Sequence, residues 1–202
     1  MSPWPARAFT CKQINLWRSQ GIWQNQQRIL FTLSLRELEH PLFILQVQEI
    51  MLKHEVKPRM FMFGPQTECL AKISSSLKLQ VKRLHELGCG LLVDNIGYWS
   101  LPLRKLRKLQ FEAIRISFRL MAESTEIEGS WNLVKGLVER TKSVGLKCFS
   151  PCVEEPIIHH QLLDLSCQFL QGNLIAPPSP PTSINRMLIE RNSSAPADGS
   201  SS

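Results

Sequence analysis

Apolar positions along this chain follow two rhythms. Short apolar runs recur at residues 28–35, 59–63, 90–94, 113–116, 146–150 and 169–171. Each is bounded by polar residues or by Gly and Pro, as expected of strands buried on both faces of a parallel sheet. Between them the apolar residues step by three and four. The clearest series is Leu70, Ile73, Leu77, Val81, Leu84 and Leu87, which predicts a helix closed by Gly88. The same spacing predicts helices over 11–21 (apolar Ile14 and Trp17, ending in Gly21), 41–54, 102–109, 130–145 and 156–165. Pro41 suits a first helical turn, and Ser130 suits an N-cap.

Strands alternating with helices over short links predict an α/β fold with a parallel sheet. Six such strands are recognisable. A closed eight-stranded barrel takes about 250 residues, so a chain of 202 reads as an incomplete (β/α) barrel. We divide it into an N-terminal segment (1–10), a domain (11–190) and a tail (191–202). Within the last part of the domain a weak helix is expected over 182–190. The composition of the tail, RNSSAPADGSSS, predicts disorder.

Hydrophobic residues make up 43% of the chain, enough for a real core. No apolar run approaches the roughly 20 residues of a membrane span. The start, MSPWPARAFTCKQ, lacks the apolar stretch of a signal peptide, so a cytoplasmic protein with no membrane partner is expected. Cys11, Cys69, Cys89, Cys148, Cys152 and Cys167 are scattered and read as buried reduced thiols. Cys148 and Cys152 with His159 and His160 match no common zinc spacing. The net charge of +7 has one dense source, Arg104, Lys105, Arg107 and Lys108. On a helix these lie opposite Leu103, Leu106 and Leu109. They read as a solvated outer face, with an acidic partner or nucleic acid as the alternative; no nucleic-acid partner is expected. No P-loop, dinucleotide fingerprint or nucleophile elbow is present.

The segment LLVDNIGYWSLPLRKLRKLQFEAIRIS, residues 91–117, carries the candidate chemistry. A strand ends in Asp94-Asn95, a Gly-bearing loop and a basic helix follow, and a second strand ends in Arg115-Ile116-Ser117. This layout resembles EAL domains, the bacterial phosphodiesterases of cyclic di-GMP, where it reads D-D-F-G-x-G-Y-S-S-L…K-I-D. Further blocks resemble the same family. FTLSLREL (31–38) is similar to V-N-L-S-x-x-Q-L, SVGLKCFSPCVEEP (143–156) to S-L-G-x-x-x-x-A-E-G-V-E-T, and SCQFLQGNLIAPPSPP to G-C-x-x-x-Q-G-Y-x-x-x-x-P. The family's E-x-L strand would lie upstream of residue 11 and has no counterpart.

The resemblance implies a TIM-barrel-like fold and two divalent ions, Mg or Mn, about 4 Å apart, which want hard oxygen ligands. Of the implied ligand set only Asp94 and Glu154 keep carboxylates. The second Asp falls on Asn95, the last Asp on Ser117, the metal-ligand Asn on Thr32, and the first Glu of the A-E-G block on Pro151. The strand Glu falls on Phe63, on Gly64, or near Thr67-Glu68, depending on register; Gln66 takes the place of a later Glu. The family's Lys falls on Arg115, which cannot act as a base near neutral pH. Gln171 and Gly172 match the family, while its Tyr is Asn173.

We therefore expect a non-catalytic domain with no productively bound metal cofactor. The expected role is a regulatory protein-interaction module, with a protein partner or self-association through Tyr98 and Trp99. Control of motility and biofilm is implied by the resemblance alone. The alternatives are a cyclic di-GMP receptor using remnant ligand positions Thr32, Arg115 and Gln171, or a decayed fragment. A plainer reading makes Asp94 a helix cap and puts Glu154 on a loop.

Overall fold

The computed structural model describes residues 4–24, 26–71, 74–97, 102–124, 126–127 and 129–194. Every expected apolar run forms a strand: β1 (Ile29–Leu33), β2 (Phe61–Pro65), β3 (Gly90–Ile96), β4 (Ala113–Ile116), β5 (Lys147–Ser150) and β6 (Phe169–Leu170). All neighbours pair in parallel, in chain order from β1 to β6. The sheet curls into an incomplete barrel with helices outside it. Residues of one parity along the strands, Phe61, Phe63, Leu91, Val93, Ile114, Ile116 and Cys148, join the large core beneath the helices. Those of the other parity, Met62, Leu92 and Ala113, form a small inner cluster with Leu30 and Phe149. A parallel sheet needs both faces covered, and this division of residues supplies it.

The helices are α1 (Trp4–Ser19), α2 (Leu35–Leu38), α3 (Phe43–Lys53), α4 (Thr67–Ala71), α5 (Ser75–Glu86), α6 (Leu103–Lys108), α7 (Phe118–Glu123), α8 (Ser130–Ser143), α9 (Pro156–Asp164) and α10 (Pro181–Ser194). Helix α1 begins well before Cys11, so the expected boundary at residue 11 is moved. Its first turn is anchored by tertiary contacts that periodicity does not display. Trp4 lies 5.9 Å from the Phe43 ring, and buried Arg7 pairs with Glu37 at 2.5 Å. The expected helix over 70–87 is two helices, because Ser74 restarts the chain by accepting the Leu77 amide. Short α2 and α7 were not anticipated. Each is made by its cap: Ser34 and Glu37 form a capping box on α2, and Ser117 caps α7. Ser130 is the first residue inside α8 rather than its cap, a place taken by Gly129 at φ 87°.

At the other end α10 outruns the expected 182–190 and enters the segment assigned to the tail. Trp17 donates its indole N–H to Asn185, and Asn192 donates to the Ile22 carbonyl at 2.9 Å. Ile184 and Leu188 pack on the core. The expected disorder of the tail beyond Ser194 lies outside the described residues. No helix among the described residues is long and apolar enough to cross a membrane.

Two consequences follow for stability. A Cβ added at Gly172 would lie 2.2 Å from the Val153 carbonyl oxygen and 2.4 Å from its nitrogen. Backbone cannot yield as a side chain would, so Gly172→Ala is expected to lose at least about 1–3 kcal/mol in urea unfolding. Burial pushes the Cys11 thiol from 9.0 to about 11 and Cys89 to about 12. The unfolded chain ionises first as pH rises, so stability held below about pH 9 falls as pH climbs toward those folded values. Urea midpoints measured between pH 8 and pH 11 check this, and Cys11→Ser with Cys89→Ser should flatten the decline.

Candidate functional site

Side chains two apart on a strand share a face. Thr32 lies two beyond Leu30, Gly64 two beyond Met62, Asp94 two beyond Leu92, and Arg115 two beyond Ala113. These four therefore form the next layer above the inner cluster, at the C-terminal ends of four parallel strands. In such folds that is where ligand sites are built.

Asp94 is the centre of the layer, 3% exposed. Arg115 donates from Nε to Oδ1 at 2.7 Å and from Nη2 to Oδ2 at 2.6 Å. This is a bidentate, charge-assisted pair, with side-chain exposures of 12% for Arg115 and 5% for Asp94. Thr32 donates its hydroxyl to Oδ2 at 2.8 Å and accepts from Arg115 Nη2 at 3.1 Å. The backbone is held too. Thr67 donates to the Asp94 carbonyl at 2.8 Å, and Gln66 forms a parallel bridge with Asp94. The Arg115 guanidinium lies 5.6 Å from the Phe118 ring, within cation–π range. Asp94 thus joins strands at the barrel mouth rather than capping a helix.

The other expected positions part company with this layer. Asn95 follows Asp94 in the left-handed region, φ 62°, a conformation Asn tolerates better than most residues. The β3–β4 register shifts between Val93 and Ile96 at this point. Ser117 is buried, and its hydroxyl accepts the Leu120 amide at 3.0 Å. Phe63 lies in the core, 5.9 Å from Phe31 and 6.2 Å from Phe43. Of the registers considered, Gly64 is the position facing Asp94: a Cβ there would sit 3.4 Å from Asp94 Cβ. Pro151 is buried. Glu154 does occupy a loop, where Asn173 donates to it from Nδ2 at 2.8 Å. Gln171 is exposed; its main chain pairs with Ser150 and Val153 at 2.9 and 3.0 Å. Tyr98 and Trp99 lie outside the described residues.

Among the described residues, no group of three or more His, Cys, Asp or Glu could hold a metal ion. Cys148 is instead buried against Cys167, whose thiol donates to the Cys148 carbonyl at 3.4 Å; the contact with Cys167 and burial push the Cys148 thiol up. His160 meets the Pro156 carbonyl within α9. Sequence reasoning missed Phe118, and it named Thr67 only as part of a third register, not as the donor to the Asp94 carbonyl. Strand parity decides between the other two registers, because Gly64 shares a face with Asp94 and Phe63 does not.

Removing one member of a buried pair strands the other's charge. Arg115→Ala is expected to cost about 3–5 kcal/mol in urea unfolding. Replacing both, Asp94→Asn with Arg115→Gln, should cost less than Arg115→Ala alone, which makes the double-mutant cycle strongly non-additive.

The pattern of the EAL domain family matches residues 6–178. MucR of Pseudomonas aeruginosa, a bifunctional diguanylate cyclase/cyclic di-GMP phosphodiesterase, is 22% identical over 170 residues, covering 84% of this chain and 24% of MucR. RocR of the same organism, a cyclic di-GMP phosphodiesterase, is 25% identical over 135 residues, 66% of this chain and 34% of RocR. The chain thus spans about a third or less of the length of these curated relatives. Among solved structures, the PaMucR phosphodiesterase in complex with c-di-GMP superposes with a TM-score of 0.82 at 21% identity, covering 88% of this chain and 71% of that one. The EAL domain of Mycobacterium smegmatis DcpA gives 0.80 at 20% identity, covering 91% and 82%. With the family pattern running through most of its length and the same barrel beneath it, this chain belongs to the EAL domain family.

Proposed function

We propose that this chain is a non-catalytic EAL domain, a regulatory module of bacterial cyclic di-GMP signalling that acts by holding a protein partner. The observation that carries the reading is the Asp94–Arg115 pair. Both oxygens of the buried carboxylate accept from one guanidinium, and one of them also accepts from Thr32. A divalent cation recruits hard oxygens with free lone pairs and repels a fixed guanidinium. The residues around Asp94 reinforce this. Gly64 brings no side chain, the Ser117 hydroxyl serves a helix cap, and Glu154 is engaged by Asn173. These residues do not fit a pair of divalent ions.

A second reading has its own support. Arg115 and Thr32 stand at the mouth of a barrel whose similar structures include complexes with c-di-GMP. A half-buried guanidinium there is suited to a phosphate. In that reading the chain binds cyclic di-GMP without cutting it.

One pair of measurements separates the readings. Incubation with cyclic di-GMP and Mg²⁺ or Mn²⁺ is expected to yield no linear dinucleotide by chromatography. Turnover that a chelator stops would overturn the non-catalytic reading. Calorimetry with the same ligand is expected to show no binding heat at micromolar protein. A saturable isotherm lost in Arg115→Ala, with the double-mutant Asp94→Asn/Arg115→Gln as a folded control, would favour the receptor.

A further inference from the structure

We infer that the outer groove between α6 and α8 docks an acidic amphipathic segment of a partner protein. The inference rests on the interaction role proposed above, but on a different surface from the barrel mouth.

A groove of about 650 Å³ lies between α1 and α10, but its lining, Gln20, Gly21, Ile22, Asn185, Ile189 and Asn192, carries no charge to select a ligand. The space beside Arg7 is about 10 Å³, room for one water at most. The groove between α6 and α8 differs from both. It encloses about 330 Å³ and is lined by Pro102, Leu103, Arg104, Arg140, Ser143 and Val144. Its floor is aliphatic and its two charged lining residues are arginines from different helices, fixed relative to each other by the packing. Arg107 ties the helices together by donating to the Gly145 carbonyl at 2.9 Å.

The charge there is uncompensated. Arg104, Arg107, Lys108 and Arg140 are all exposed. None of them takes part in an ion pair among the described residues. Arg104, Arg107 and Lys108 are spaced to share one face of α6. The nearest acid along α8, Glu139, sits about 100° round the helix from Arg140. A stripe leads into the groove: apolar Leu133, Leu137 and Val144, with Arg140 among them, follow the i, i+4, i+11 and i+7 spacing of one helix face. Leu133 is 51% exposed.

This combination selects the class of partner. Carboxylates complement the arginine rim, and an aliphatic side chain complements the floor and the stripe. A single-stranded nucleic acid wants aromatic platforms for its bases along a cationic track. Among the described residues no aromatic side chain lines the groove, and α6, with six residues, extends only about 9 Å.

The test uses the full chain and a fluorescein-labelled synthetic peptide of alternating Glu and Leu in helical spacing, read by anisotropy at about 0.15 M salt. Controls are the same peptide with Gln for Glu and a labelled oligothymidylate. Saturable binding of the acidic peptide is expected, with neither control binding comparably. Arg104→Glu with Arg140→Glu should weaken it by about tenfold or more, and Arg104→Gln with Arg140→Gln by less. Lys12→Glu with Lys78→Glu, the same change of net charge elsewhere, should leave it unchanged. These positions are exposed, and a circular-dichroism melt checks that each variant folds. The inference is overturned if the acidic peptide does not bind, if the groove variants leave it intact, if the distant variants weaken it equally, or if oligothymidylate binds as well. Turnover of cyclic di-GMP would instead overturn the non-catalytic reading and leave the peptide result standing.

Discussion

Gly64 is the constraint on which the mouth of this barrel depends. Thr32 on β1 and Asp94 on β3 are separated by a whole strand, yet their side chains meet at 2.8 Å. They can do so because the residue between them on β2 has no side chain. Even a methyl group there would lie 2.7 Å from Leu92 Cδ2 and 3.3 Å from Leu30 Cδ1, crowding the inner cluster below. Once that path is open, Asp94 draws β1 and β4 toward β3 through Thr32 and Arg115. Thr67, the first residue of α4, fixes the Asp94 carbonyl. Four elements are thereby tied to one buried aspartate, three of them through its carboxylate, and its charge is tolerable only because Arg115 meets it in bidentate geometry.

The sheet was legible because a parallel strand buried on both faces has no polar alternation to confuse it; β3 and β4 fall where Leu91, Leu92, Val93 and Ile114 place them. Thr32, Asp94 and Arg115 were picked out by the resemblance to the EAL motifs, and strand parity explains why they fall in one layer. What stayed hidden depended on partners distant in sequence. Nothing local says that Trp4 and Arg7 extend α1, since Phe43 and Glu37 must arrive first. The same holds for α10, whose anchors are Trp17 and Ile22. The split between α4 and α5 was concealed by an apolar rhythm that runs through both. The capping serines of α2 and α7 were visible as residue types, but the helices they open are too short to show a period.

The residues around Asp94 are mutually consistent in a way that a change at one of them alone would upset. A shorter cation or a neutral residue at position 115 would leave Asp94 buried without a bidentate partner. A carboxylate at position 64 would face Asp94 at close range, and like charges so placed cannot both stay ionised. A carboxylate at position 117 would have to give up the hydroxyl cap of α7 or supply it in another form. Arg115, Gly64 and Ser117 therefore form a set in which each residue suits the others, and the set closes the mouth around a structural ion pair. That is the physical content of the non-catalytic proposal. The fold keeps its frame because Arg115 neutralises the buried Asp94.

The same pair shapes where the chain's positive charge can act. Arg115 is cancelled by Asp94 at contact distance, so this cation adds little net charge at the mouth. Arg28 is likewise matched by Glu112 at 2.8 Å. The excess expressed in the net charge of +7 must then reside on surfaces where cations outnumber carboxylates, and the flank formed by α6 and α8 is such a surface. Attraction falls off within about a Debye length, roughly 8 Å at physiological salt, so the charge of this flank acts on what lies directly beside it. These electrostatics support the proposed recognition from the side of the barrel.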